Sequence, residues 1–199
     1  MTMPRSKPTT LMKATLAALA LLASTTACAG PEASSPATNS PGTSKSQSPK
    51  PESLGYFQLV RVIDGDTIEL KPGTASKPTD KPAIVVRILG MKAPDLTECG
   101  GPEAKAELER ITQGGSNFEV VFDQRSAHQD PAGNVQGYVY DGAGSGTPSD
   151  VADTMIRNGY GNAWFDPSDV KPEKYSQLQK LDESIKDRGL HKICESFGS

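Results

Sequence analysis

Cysteine is scarce in this chain, with three residues in 199. Three thiols are too few for a disulfide-scaffolded mini-protein or a four-thiolate zinc site. No apolar run reaches the roughly 18 residues that a spanning helix requires, which excludes an integral membrane protein. Collagen periods, heptad arrays and solenoid repeats are missing as well. So is any surplus of positive charge. Lys+Arg number 21 against 24 Asp+Glu, a formal charge of −3, and the surface as a whole therefore does not capture nucleic acid by bulk electrostatics. What the chain does have is turn-forming residues, 16 prolines and 19 glycines, a share on the high side for a compact domain.

The first 27 residues have the organisation of an export signal. Arg5, Lys7 and Lys13 precede any acid, an apolar stretch runs from Ala14 to Ala23, and Thr25-Thr26-Ala27-Cys28 follows. Small residues directly before Cys28 resemble a bacterial lipobox, with Thr25 where leucine is commoner. Two readings stand: lipidation at Cys28, or ordinary cleavage nearby with Cys28 incidental. Either places the mature protein outside the cytoplasm, as a membrane-attached lipoprotein or a secreted protein. In the lipidated form the only membrane contact is the lipid anchor. Residues 29–53 contain no Val, Ile, Leu, Met, Phe, Tyr or Trp, and five prolines stand among their Ser and Thr. Such a segment has no apolar area to offset its ordering entropy, so residues 28–53 are expected to form a Pro-stiffened disordered tether.

The folded part is expected over residues 54–199, where 16 Lys+Arg face 22 Asp+Glu, a net charge near −6. Gly55–Ile63 and Asp66–Leu70 have strand composition and flank the hairpin signal Asp64-Gly65. Residues 71–82 are punctuated by Pro and Gly and predict a loop. Ala83–Leu89 is nearly all apolar and predicts a strand buried on both faces. Pro102 opens a helix whose stripe is Ala104, Leu108 and Ile111. Phe118, Val120 and Phe122 alternate as a fourth strand, and Val135–Tyr140 makes a fifth. Helices follow over about 149–158 and 172–188. Five strands with one helix between the third and fourth, and two helices after the fifth, predict an α+β, mainly β fold. The arrangement is a five-stranded Greek-key OB-fold barrel with about three helices.

Three stretches carry a sharper signal: Val62-Ile63-Asp64-Gly65-Asp66-Thr67-Ile68, then Val86-Arg87-Ile88-Leu89-Gly90-Met91-Lys92-Ala93-Pro94-Asp95, then Cys99-Gly100-Gly101-Pro102-Glu103-Ala104. In this order and spacing they resemble the staphylococcal nuclease (thermonuclease, TNase-like) family over about residues 55–194. Ile156-Arg157-Asn158-Gly159-Tyr160 is similar to that family's later helix end. The resemblance implies a calcium-dependent phosphodiesterase acting on DNA and RNA. A monomer is expected, and single-stranded DNA or RNA is the candidate partner that the aromatics of an OB barrel suggest. The resemblance also implies a site of oxygen ligands for a hard cation and forked guanidinium donors for the transition-state charge.

Carried over residue by residue, the match is partial. Asp66 falls on the metal-binding aspartate, or is a turn-capping carboxylate. Arg87 falls on a catalytic arginine. In an otherwise apolar strand its charge needs a partner, and Asp66 or Asp95 could supply one without catalysis. Lys92 stands where the resemblance implies a second aspartate ligand. A unit charge at ~4 Å is worth ~4 kcal/mol at an effective dielectric of 20, and roughly twice that against a divalent ion, so this lysine opposes calcium binding. Its ammonium either occupies the place of the ion or swings out to solvent. Ala93 is expected to offer only its backbone carbonyl. Asp95 takes the place of the general-base glutamate, one methylene shorter. Asn134 stands at the position of a second arginine, for which Arg125 in the same loop is a possible substitute.

Once Cys28 is set aside, Cys99 and Cys194 remain, and in an exported protein a disulfide between them is the default. His191 and Cys194 have ligand-like spacing, but two ligands do not make a site. His128 is expected on the surface. Trp164 and Tyr160 are expected in the core. Two hypotheses follow. One is a weak or altered phosphodiesterase using Asp66, Arg87 and Asp95. The other is a non-catalytic module for nucleic acid, another anionic ligand or a cell-envelope partner.

Overall fold

The computed structural model describes residues 51–115, 117–144 and 146–194. The expected export signal, Cys28 and most of the tether lie outside them. Strand β1 (Glu52–Val62) pairs antiparallel with both β2 (Thr67–Thr74) and β6 (Phe118–Phe122). It serves two neighbours because its register shifts once on each side, between Leu59 and Arg61 and between Ser53 and Tyr56, and such bulges bend a strand and increase its twist. Strand β2 pairs with β4 (Ile84–Ile88), β4 runs parallel to β7 (Val135–Asp141), and β7 returns antiparallel to β6. The five strands close on one another as an OB-fold-like barrel of mixed pairing. Inward residues fill it: Phe57, Ile68, Leu70, Val86, Ile88, Phe118, Val120 and Val139.

Three helices and four two-residue strands complete the fold. Of residues 71–82, expected as a loop, 71–74 instead extend β2 and form a small hairpin with β3 (Lys77–Pro78), while 79–82 are irregular as expected. Gly73 supplies the positive φ of 108° near its turn, and the punctuation belonged to a hairpin. Strand β4 is shorter than its apolar run and is half-buried at Ile84, Val85 and Arg87. The expected burial on both faces is therefore incomplete, and the half-exposed side carries the arginine. Helix α1 (Gly101–Thr112) packs Ala104 and Leu108 into the core. Strand β8 (Ser149–Asp150) leads into helix α2 (Val151–Arg157). The Asp150 side chain caps α2 by accepting from the Asp153 N–H at 3.2 Å, so the helix starts two residues later than its composition indicates. Helix α3 (Tyr175–Asp187) lies against α2 and buries Leu178 and Ile185. Short strands β5 (Met91–Lys92) and β9 (Asn162–Ala163) pair as a separate ribbon. Sequence periodicity missed both, because two residues have no period.

Candidate functional site at Arg87, Lys92 and Trp164

The turn between β1 and β2 sets the first side chain. Thr67 C=O accepts from the N–H groups of Ile63 and Asp64 at 2.9 and 3.3 Å, and Asp64 Oδ1 accepts from the Asp66 N–H at 3.0 Å. Gly65 is pressed against two neighbours, so that a Cβ there would lie 2.5 Å from Ala93 Cβ and 2.8 Å from Ala104 Cβ. This close approach brings the turn, the segment after β5 and helix α1 to one point. Asp66 is buried there, 6 % exposed. Its Oδ1 accepts from the Thr67 hydroxyl at 2.9 Å and its Oδ2 from the Ala93 N–H at 3.1 Å.

Arg87 lies across from Thr67 on one side and Gln136 on the other. Its Nη2 is 3.6 Å from Asp66 Oδ2, so the charge in β4 has one of the carboxylate partners expected for it. Burial pushes the Asp66 carboxyl up to about 6. Arg87 pulls it back down, and Asp64 adds to the rise. The guanidinium carbon of Arg87 sits over Trp164, 5.7 Å from the ring centroid, and the Lys92 ammonium sits over the same ring at 5.6 Å. Cations at this range are attracted to the indole quadrupole. Lys92 is half-buried and stands in the ribbon opposite Asn162, two residues before Trp164. The backbone N–H of Trp164 donates to Gly90 C=O at 3.0 Å. Behind the ribbon, buried Asp182 of α3 accepts from the Ala163 N–H at 3.1 Å and from Lys186 at 3.0 Å, and also bonds His191 Nε2 at 3.0 Å.

The other expected site residues make local contacts of their own. Asp95 is exposed, and what it offers locally is its backbone, whose N–H donates to Glu98 Oε2 at 2.8 Å. Asn134 donates to Asp130 through both its backbone and its side chain, at 2.9 and 3.0 Å, which ties it into its own loop. Arg125 lines a different cavity, of about 450 Å³, with Phe122, Asp123, Tyr138 and Lys174. There Tyr138 donates to buried Asp123 at 2.6 Å and Lys174 reaches the Tyr140 hydroxyl and Asp150. Tyr160 packs against the core as expected, but Trp164 is a half-buried platform for two cations. His128 is exposed and stacks on Phe122 at 3.9 Å. Cys99 and Cys194 lie at disulfide distance, with Cα atoms 5.8 Å apart, and His191 is engaged by Asp182, so the two do not act as a ligand pair.

Calcium takes about six to eight oxygen ligands, several of them carboxylate. Here both oxygens of Asp66 already accept hydrogen bonds, position 92 carries an ammonium, and Asp95 does not join Asp66. Among the described residues no group of three or more His, Cys, Asp or Glu side chains is placed to hold a metal ion. The donor set does not fit calcium. What the site brings together is a guanidinium and an ammonium over one aromatic ring, the guanidinium beside a carboxylate. No family model matches this chain, and no curated protein matches it.

Sequence reasoning found Asp66, Arg87 and Lys92 through the motif order. It missed Trp164 as a site residue, Gln136 beside Arg87, and Asp182 behind the ribbon. The one available signal was that the chain's sole tryptophan follows the Ile156–Tyr160 motif closely.

Proposed function

We propose that this chain is an exported thermonuclease-like barrel that recognises a phosphate group at Arg87 and Lys92 without calcium. In this reading Cys28 carries the lipid that holds the domain at the membrane, and the phosphodiesterase chemistry of the resembling family is reduced or lost. The observation that carries it is the convergence of Arg87 and Lys92 on Trp164, where the motif order implies a metal ligand in place of the lysine. A guanidinium offers forked donors to phosphate oxygens, and an ammonium adds a point charge.

One observation favours a second reading, a metal-free phosphodiesterase. A carboxyl raised to about 6 is near the range in which a general base works at neutral pH, and Asp66 adjoins the arginine that would hold the phosphate.

The test is a cleavage assay of the purified full chain on single-stranded DNA and RNA, in calcium or in chelator, beside Asp66→Ala. In parallel, inorganic phosphate is titrated against Trp164 fluorescence in chelator. Phosphate binding that Arg87→Ala removes, with no cleavage above Asp66→Ala, supports the proposal. Cleavage in chelator that needs Asp66 supports the second reading. Cleavage that needs both calcium and Asp66 overturns both.

A further inference from the structure

The two strands of the β5–β9 ribbon are anchored differently. Strand β5 is fixed by Met91, which is buried in the core. Strand β9, which leads directly into Trp164, is gripped by the segment 190–194. The Lys192 N–H donates to Gly159 C=O at 2.9 Å just before β9, and the Lys192 ammonium sits 4.8 Å from the centroid of the Tyr160 ring. The fit is close, since a Cβ on Gly159 would lie 2.3 Å from the Leu190 carbonyl oxygen. His191 Nε2 is 3.0 Å from Asp182 Oδ1, and the other oxygen of Asp182 accepts from the Ala163 N–H inside β9. The segment therefore touches the chain ahead of β9 directly, and β9 itself through Asp182.

A hinge and a bridge bound this segment. At one end Gly189, with a φ of 61°, separates it from α3. At the other, buried Ile193 packs on Gly100, and Cys194 is joined to Cys99. A hydrogen bond, a ring contact and a side-chain pair are each modest, and they compete with the entropy of ordering the segment. The bridge orders it in advance by tying its end to the turn before α1. Cys99 is exposed and Cys194 is half-buried, so a thiolate from solvent has access to the bond.

We infer that residues 190–194 are a redox-controlled strap. Reduction of the Cys99–Cys194 bridge by a dithiol releases the strap, loosens β9 and moves Trp164 relative to Arg87 and Lys92, while the barrel stays folded. The thiolate of the dithiol attacks the Cys99 sulfur and forms a mixed disulfide. Cys194 leaves as a thiolate and takes up a proton. The second thiol of the reductant then closes its own disulfide and frees Cys99. Two electrons pass from the dithiol to the bridge, and both cysteines end as thiols. The barrel is closed by strand pairing outside the strap, which keeps the opening local. This goes beyond the phosphate reading and stands without it.

The test uses the full chain carrying Cys28→Ser, so that the bridge cysteines alone titrate. Dithiothreitol is added without denaturant and free thiols are counted. Far-UV circular dichroism, Trp164 emission and acrylamide quenching are read before and after. Both cysteines are expected to appear as thiols, with native circular dichroism and a red shift of the emission. Quenching is expected to rise at least about twofold. Oxidised glutathione should restore the starting values. His191→Ala, with the bridge intact, is expected to give a smaller change of the same sign. Emission and quenching that stay constant on reduction and in His191→Ala mean that the bridge only stabilises the domain, and overturn the inference. A bridge that yields thiols only in denaturant overturns it too, as does loss of circular dichroism in step with the fluorescence change. Every readout is conformational, so failure of phosphate binding leaves the result intact.

Discussion

At the scale of single residues, Asp66 is the most informative. It is nearly fully buried, with Arg87 as a partly exposed counter-charge 3.6 Å away, and its carboxyl is raised to about 6. An acid whose folded value exceeds its unfolded value binds more protons in the folded state. Its charge therefore costs stability above about pH 6, and that cost fades as the pH falls from about 6 toward the unfolded value near 4. Asp66→Asn is expected to stabilise the protein by about 1–3 kcal/mol at pH 8 and to change little at pH 4. Denaturant titrations at the two pH values check this, and a variant less stable at pH 8 contradicts it. The motif order exposed Asp66, Arg87 and Lys92 directly. It could not expose the local contacts of the other expected residues. Asn134 had to be seen fastened to Asp130, and Asp95 had to be seen in solvent.

At the scale of elements, the site is held by close packing between pieces that are distant in sequence. Gly65 is the point of contact between the β1–β2 turn, the segment after β5 and helix α1. Its backbone has an ordinary φ, so the requirement for glycine here is one of space. Gly65→Ala is expected to cost about 1–3 kcal/mol, the usual penalty for overpacking, and to displace Asp66 from the Ala93 N–H. Thermal unfolding measures the first effect, and loss of phosphate binding measures the second. The β5–β9 ribbon is the other positioning device. Four residues of pairing are too few to persist in water. Asp182 therefore matters, because its carboxylate grips the Ala163 N–H from α3 and is itself held by Lys186 and His191. The main strands and helices were legible from alternation and from a 3.6-residue stripe. The hairpin at β2–β3 and the ribbon were hidden, since turn residues look alike in a loop and in a hairpin, and very short strands carry no pattern.

For the molecule as a whole, one covalent link and one closed sheet define the body that carries the site. Cys99 and Cys194 are 95 residues apart in sequence, so the bridge closes two of the five barrel strands, β6 and β7, together with α1, α2 and α3 into one loop. On the chain-entropy model a link of that span stabilises by about 4–5 kcal/mol. Replacing both cysteines by serine is expected to lower the unfolding free energy by a few kcal/mol of that amount. The drop should match that caused by reducing the wild-type protein with a dithiol. Equal stability of wild type, variant and reduced protein contradicts the assignment. The bridge also fastens residues 190–194 to the rest of the domain. Ile193 packs on Gly100, the Lys192 N–H donates to Gly159 C=O at 2.9 Å, and His191 meets Asp182. Among the described residues no helix is long and apolar enough to cross a membrane.

The sequence alone determined the local features: the composition break before the folded part, the alternation of five strands, the helix stripes, the Asp-Gly turn, and the unusual lysine and asparagine within an otherwise ordered set of motifs. These properties depend on residues close in the chain, where side-chain size and charge act directly on backbone preference. Only the tertiary structure decided what those residues do together. Barrel closure set β4 between β2 and β7, which placed Arg87 between Asp66 and Gln136. The β5–β9 ribbon carried Lys92 to Trp164 across more than seventy residues of chain. Burial then raised the Asp66 carboxyl and paired it with Arg87. Coulomb attraction and desolvation depend on distance and exposure in space, and neither is a function of position along the chain.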